Sequence, residues 1–273
     1  MSRLTKKVNS NVASNRKTLV AYVVAGDPIK ELTVKLMHAM VDAGVDVIEL
    51  GVPFSDPEAE GPVIQLAHER ALKHQTSLKD VISMVEQFRR KDKDTPVILM
   101  GYLNPIEIMG YEEFSIAASQ AGVDGTIIVN LPPEESGDLS DYLEKHDIET
   151  VYLLAPTTTD KRAAYVTSQS RGFVYYVSLK GTTGASHLDF ADVSEKLSRF
   201  RQISQLPIMV GFGIKDAATA AKVSAIADGV AIGSAIVKLI AAHEDDLESA
   251  TSEIVALLSG MRESMDESST VLK

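Results

Sequence analysis

The chain has 273 residues, 45% of them apolar, enough to bury a full core and somewhat beyond the roughly 250 typical of one eight-fold α/β barrel. Its 38 acids against 27 bases give a formal net charge of −11, which argues against a nucleic-acid surface and for a soluble protein. The absence of cysteine excludes disulfides, thiolate nucleophiles and thiolate metal sites, and fits a reducing compartment.

The first stretch, Met1 to Lys17, is polar and basic with no signal-peptide pattern, and no apolar run in the chain is long enough to span a bilayer, so a cytoplasmic location is expected. Residues 3–13 read as a short helix whose basic face is a solvated cap. The first strand run is 19–25, stopped by Gly26, Asp27 and Pro28, and a helix follows over 31–43 with Leu32, Leu36, Met40 and Val41 on one face. The same pairing recurs. Apolar strand runs lie at 47–50, 97–102, 125–129, 150–154, 174–178, 208–210 and 229–232, each followed by a helical pattern. The interval between the second and third runs holds two helical patterns, 62–73 and 77–90, the first opened by Pro62 and the second by Ser77 with Asp80 three residues on, the signature of an N-cap. A last helix from 247 to about 265 precedes a polar tail, about 266–273, expected to fray.

Eight such units with near-continuous apolar strands predict an α/β fold, a (β/α)8 TIM barrel with an N-terminal helix and extra helices, as a single domain over 1–273. Six units in two halves would instead suit a dinucleotide fold. No low-complexity segment or linker marks a second domain.

The chemistry is concentrated around the second run. Strand alternation puts Val47 and Glu49 on one face and Ile48 and Leu50 on the other. An ionisable side chain in such a run is costly unless paired or used. No Lys or Arg lies within the strand runs, which favours a functional acid with a raised pKa over a structural ion pair. Gly51, Pro53 and Pro57 then break the strand, and Asp56, Glu58 and Glu60 crowd three acids into one loop; loop acids are usually solvated, so at most two of these are expected to matter.

In a barrel the working face lies at the carboxyl ends of the strands, where Asp27, Glu49, Tyr102, Asn104, Asn130, Tyr175, Gly184, Gly213 and Ser234 fall. Three glycine loops sit there: 180–184 after the sixth run, Gly211 and Gly213 after the seventh, and Gly233 with Ser234 at the start of the helix after the eighth. Glycines allow close backbone approach and a helix N-terminus offers unpaired N–H groups, so together they predict a phosphate cup. The six histidines are dispersed without ligand spacing, so no metal site is expected, and neither a Gly-x-Gly-x-x-Gly after the first strand nor a Ser/His/Asp set is present.

These residues resemble a known family. Glu-Leu-Gly-Val-Pro-Phe-Ser-Asp-Pro at 49–57 followed by Gly61 and Pro62, Met-Gly-Tyr-Leu-Asn-Pro at 100–105, Leu-Pro-Pro-Glu-Glu at 131–135, Gly-Thr-Thr-Gly at 181–184, Gly-Phe-Gly-Ile at 211–214 and Gly-Ser-Ala-Ile-Val at 233–237 look like the alpha chain of tryptophan synthase, in order from about residue 18 to residue 240. The resemblance implies a lyase that cleaves indole-3-glycerol phosphate to indole and glyceraldehyde 3-phosphate by a retro-aldol step and passes indole to a beta chain, in an alpha2-beta2 heterotetramer whose pyridoxal phosphate belongs to the beta chain; this chain itself would need no cofactor. It further implies that Glu49 protonates the ring carbon bearing the glycerol chain. Glu60 would take the indole N–H proton or stabilise the positive charge there. Tyr22, Tyr102, Tyr175 and Thr183 would line the pocket or hold the loop, and Gly184, Gly213, Gly233 and Ser234 would hold the phosphate. Asp56, Pro57 and Asn104 would belong to the loops that meet the partner. Three positions depart from the family pattern: Glu60 where Asp is usual, Asn130 where Asp is usual, and Glu58 where an apolar residue is usual. Those departures leave open a non-catalytic phosphate-binding activator of the beta chain, and a stand-alone lyase that frees indole without a partner is a third reading.

Overall fold

The structure, a computed structural model, describes residues 2–177, 190–211 and 213–271. Within them all strand pairings are parallel. The strands are β1 (Thr18–Val24), β2 (Val47–Gly51), β3 (Val97–Gly101), β4 (Gly125–Ile128), β5 (Glu149–Thr150), β6 (Leu153–Leu154), β7 (Val174–Val177), β8 (Ile208–Gly211) and β9 (Gly229–Ile232), in the order β5-β4-β3-β2-β1-β9-β8-β7-β6. The two ends of that order are one stretch of chain, because β5 pairs with β4, β6 pairs with β7, and only Val151 and Tyr152 separate them. Val151 N–H donates to the Thr126 carbonyl at 2.9 Å on one side, and Tyr175 N–H to the Tyr152 carbonyl at 3.1 Å on the other. The sheet therefore closes into a barrel. The fifth expected strand is divided in two because each half pairs with a different neighbour.

The helices among the described residues are α1 (Arg3–Ala13), α2 (Lys30–Asp42), α3 (Pro62–Lys73), α4 (Leu78–Arg89), α5 (Leu103–Met109), α6 (Tyr111–Ala121), α7 (Gly137–Lys145), α8 (Asp160–Gln169), α9 (Phe190–Ile203), α10 (Ala217–Ser224), α11 (Ser234–Ala242) and α12 (Leu247–Val271). Local chemistry sets several of their ends. Pro62 occupies the first turn of α3, and Ser77 and Asp80 form a reciprocal capping box at α4, with the Ser77 N–H donating to Asp80 Oδ2 at 2.8 Å. α12 extends beyond residue 265, where the sequence pattern ends it, and Asp266 accepts hydrogen bonds from Arg262 and Arg16. None of the described helices is long and apolar enough to cross a membrane.

Alternation along each strand divides the apolar side chains into two layers. Ile48 and Leu50 face outward into the packing between sheet and helices, while Val20, Val47, Ile98, Ile127, Val151, Phe173, Met209 and Ala231 fill the barrel. The N-terminal helix is more than the solvated cap its basic residues suggest. Leu4 and Val8, four residues apart on one face of α1, are fully buried in the same interior cluster and plug the floor of the barrel. Polar contacts fasten the plug at its rim. Arg3 donates to Asp124 at 2.8 Å, and the Ser2 and Thr5 hydroxyls both donate to Glu149 Oε1 at 2.6 Å. Asp124 also accepts from Arg89 at 2.7 Å and from the Val97 N–H at 2.8 Å, so one buried carboxylate ties α1, α4 and β3 together.

Leu4→Ala leaves a cavity under the barrel floor and is expected to lower the unfolding free energy by about 2–5 kcal/mol, read from urea denaturation with unchanged far-ultraviolet circular dichroism. A loss below about 0.5 kcal/mol, the range of ordinary surface changes, would mean that α1 does not act as a plug.

Candidate active site

One inward layer above Val47, the barrel interior changes character. Tyr22 of β1 stands beside Glu49 of β2 in the strand register, and Met100 of β3 and Tyr175 of β7 face the same space. Glu49 is 1% exposed, and its Oε2 has no hydrogen-bond partner among the described residues. Burial, with a further contribution from the charge of Glu60, raises its pKa to about 8. Among the described residues no cation counters the shift, so the carboxyl holds its proton at neutral pH.

The loop after β2 sorts its three acids. Asp56 and Glu58 are exposed, whereas Glu60 is buried at 8% exposure. The cause lies on another strand: the Tyr102 hydroxyl, at the end of β3, donates to Glu60 Oε2 and accepts from the Ala59 N–H at 2.9 Å. The Phe54 ring stacks on Tyr102 with centroids 4.9 Å apart and planes at 25°. Gln65 Nε2 closes the far end by donating to the Glu60 carbonyl at 2.9 Å. Burial raises the Glu60 pKa, opposed by the Tyr102 hydrogen bond. The same burial, and the acceptor on Glu60, push the Tyr102 phenol upward, so it stays a donor. Asp56 accepts from the Ser55 hydroxyl at 2.5 Å in the exposed bend, and the Pro57 carbonyl accepts from the Glu60 N–H at 3.1 Å.

Two strand-end glycines make space for the tyrosines. A Cβ on Gly51 would lie 2.5 Å from the Tyr22 hydroxyl, and one on Gly211 would collide with the Tyr175 hydroxyl. Burial and the nearby carboxyl groups keep both phenols protonated. One residue that the sequence reading passed over belongs to this layer. His68, on α3, is 1% exposed, accepts from the Phe54 N–H at Nδ1 (3.1 Å) and has Nε2 3.4 Å from the Tyr22 hydroxyl. Burial lowers its pKa to about 4, so the ring is neutral. Its helical spacing from Ile64 and Ala71, both buried, was the available signal.

Asn104 and Asn130 sit at the exposed edge of this face. Asn130 Oδ1 accepts from the Leu103 N–H at 2.8 Å in the first turn of α5, and its amide nitrogen donates to Asn104 Oδ1 at 3.4 Å, a donor that Asp would lack. Gly213 follows β8 in a left-handed conformation (φ +76°), and Gly233 caps α11, whose first residue is Ser234. The leading N–H groups of α11 lack intrahelical acceptors, as at any helix start. Thr183 and Gly184, the remaining expected pocket and phosphate residues, lie outside the described residues.

Comparison with known proteins gives this arrangement its family. The family model described as tryptophan synthase alpha chain matches residues 8–266. The tryptophan synthase alpha chain of Thioalkalivibrio sulfidiphilus is 56% identical over 266 residues, covering 97% of this chain and 100% of that one, and that of Marinobacter nauticus is 52% identical, covering 97% and 98%. The crystal structure of tryptophan synthase subunit alpha from Legionella pneumophila superposes with a TM-score of 0.91 at 45% identity, covering 98% of this chain and 99% of that one. The chain belongs to the tryptophan synthase alpha chain family, whose members cleave indole-3-glycerol phosphate in tryptophan biosynthesis.

Proposed function

We propose that the cleavage proceeds as a retro-aldol reaction with Glu49 as the acid and Glu60 as its counterpart on the loop. Glu49 protonates the ring carbon that carries the glycerol chain. The carbon–carbon bond then breaks, its electron pair returns to the indole ring, and the glycerol hydroxyl becomes the aldehyde of glyceraldehyde 3-phosphate as its proton passes to the Glu49 carboxylate. Glu60 takes the indole N–H proton as the ring is protonated and returns it to the nitrogen as the bond breaks, or stabilises the positive charge that develops there. Because the protonated ring is its own electron sink, this reading needs no cofactor in the chain. The observation that carries it is the pairing of environments: a desolvated acid protonated at neutral pH, and a second acid held at the barrel mouth by a tyrosine.

Tyr22, Tyr175 and Thr183 line the pocket in this reading, and Gly184, Gly213, Gly233 and Ser234 hold the phosphate, the last two with the N-terminus of α11. A beta chain carrying pyridoxal phosphate receives the indole, in a cytoplasmic alpha2-beta2 assembly. Asp56, Pro57 and Asn104 contact it or order the loop against it. Asp56 and Asn104 are exposed on the working face, and Ile108 on α5 stands 89% exposed nearby, an apolar side chain suited to a protein partner. The burial of Glu60 and its bond to Tyr102 favour a working lyase over a non-catalytic activator, despite Glu in place of Asp. Indole release measured with and without added beta chain tests this, since an activator alone releases none and a stand-alone lyase gains nothing from the partner.

Glu49→Gln is expected to lower indole release by a factor of about 10²–10⁴ while glyceraldehyde 3-phosphate still binds; near-normal turnover would remove Glu49 from the mechanism. In the wild type, kcat should fall as pH rises through about 8, because the acid form of Glu49 is then lost. The same shift has a stability signature. From pH 4.5 to about 8 the unfolded chain releases a proton that the native state keeps, so wild-type stability falls as pH rises, and Glu49→Gln should be the more stable protein at about pH 9. Tyr102→Phe removes the Glu60 clamp and should reduce kcat about ten- to a hundredfold in the steady-state assay, with the fold unchanged.

A further inference from the structure

We propose that His68 is a positioning residue for the loop acid: a neutral imidazole on α3 that pins the Phe54 backbone and Tyr22 and, through the Phe54–Tyr102 stack, holds Glu60 at the barrel mouth. The inference rests on the loop-acid role given to Glu60 above.

The tautomer follows from the partners. A backbone N–H can only donate, so the 3.1 Å contact from Phe54 makes Nδ1 an acceptor without a proton. The neutral ring then carries its proton on Nε2, which faces the Tyr22 hydroxyl at 3.4 Å. A protonated ring could not accept from Phe54, and burial of the imidazole opposes that form. From Phe54 the connection to the acid is continuous. Its ring packs on Tyr102, and the Tyr102 hydroxyl engages both Glu60 and the Ala59 N–H. His68 thus fastens the Phe54 end of the loop to the rigid helix α3, whose Gln65 holds the Glu60 end. A packing role alone would require only an apolar side chain, as at Ile64 and Ala71 on the same face.

The test uses His68→Asn, His68→Gln and His68→Leu in the full chain with the beta chain present. Asn places an acceptor where Nδ1 stands but cannot reach Tyr22; Gln reaches toward Tyr22 but loses the acceptor near Phe54; Leu removes both. Two readouts are taken: amide hydrogen exchange of residues 53–60, and kcat and KM for indole-3-glycerol phosphate. Leu and Gln should raise exchange in that segment about tenfold and lower kcat about tenfold, with KM within about twofold, while Asn restores both to within about threefold of wild type. Unchanged exchange and kcat in the Gln and Leu variants would overturn the proposal. So would an Asn variant as impaired as Leu in both readouts, because packing alone would then account for His68. If the Leu variant does not fold, the Asn and Gln pair decides. Glu60→Gln, measured alongside, separates the two layers: normal turnover there removes the loop-acid role, whereas the exchange data still report whether His68 pins the loop.

Discussion

A carboxyl group lies one layer above the apolar filling of a closed parallel barrel, with no cation among its described neighbours, and the rest of the working face is arranged around that cost. An apolar side chain at position 49 would pack with Val47 and Ile98 without penalty, whereas the ionised carboxylate would be taken out of water with Oε2 unpartnered. The group relieves the penalty by keeping its proton. That same protonated state makes it an acid at neutral pH, so the destabilising feature and the reactive feature are one property of the site.

The second carboxyl is handled differently. Glu60 is brought in from a loop and held by a hydrogen bond from Tyr102, which favours its charged form and restrains the rise that burial alone would cause. Its charge in turn helps to raise the pKa of Glu49. Burial raises both carboxyl pKa values, but only at Glu60 does a tyrosine hydrogen bond oppose the rise. Tyr102 is the contact that fixes where the Glu60 carboxyl sits. Asp56 and Glu58, a few residues away, remain exposed, Asp56 accepting only from the neighbouring Ser55 hydroxyl among the described residues.

Stability is built at the opposite end. The α1 plug and the Asp124 cluster lie at the amino ends of the strands, where Arg3, Arg89 and the Val97 N–H converge on one carboxylate. Buried acids therefore occur at both ends of the barrel: Asp124 is surrounded by donors and cations, whereas Glu49 Oε2 meets no donor among the described residues.

Much of this was legible along the chain. The period of two puts Glu49 on the face of Val47, the period of 3.6 with Pro62 and the Ser77–Asp80 pair bounds the helices between the second and third strands, and eight repeated units imply closure; all are short-range consequences of backbone geometry. Closure itself decided the remainder. Which of three loop acids is buried depends on a tyrosine 42 residues away, the role of α1 as a plug depends on an open barrel floor that exists only once the sheet has closed, and the division of the fifth strand depends on its having a different neighbour on each side. His68 gave a local sign only of burial; that its two nitrogens bridge a loop and a strand is a property of three elements meeting in space. Spacing along the chain determines which way a side chain points, but what it meets there is set by residues that only the tertiary fold brings near.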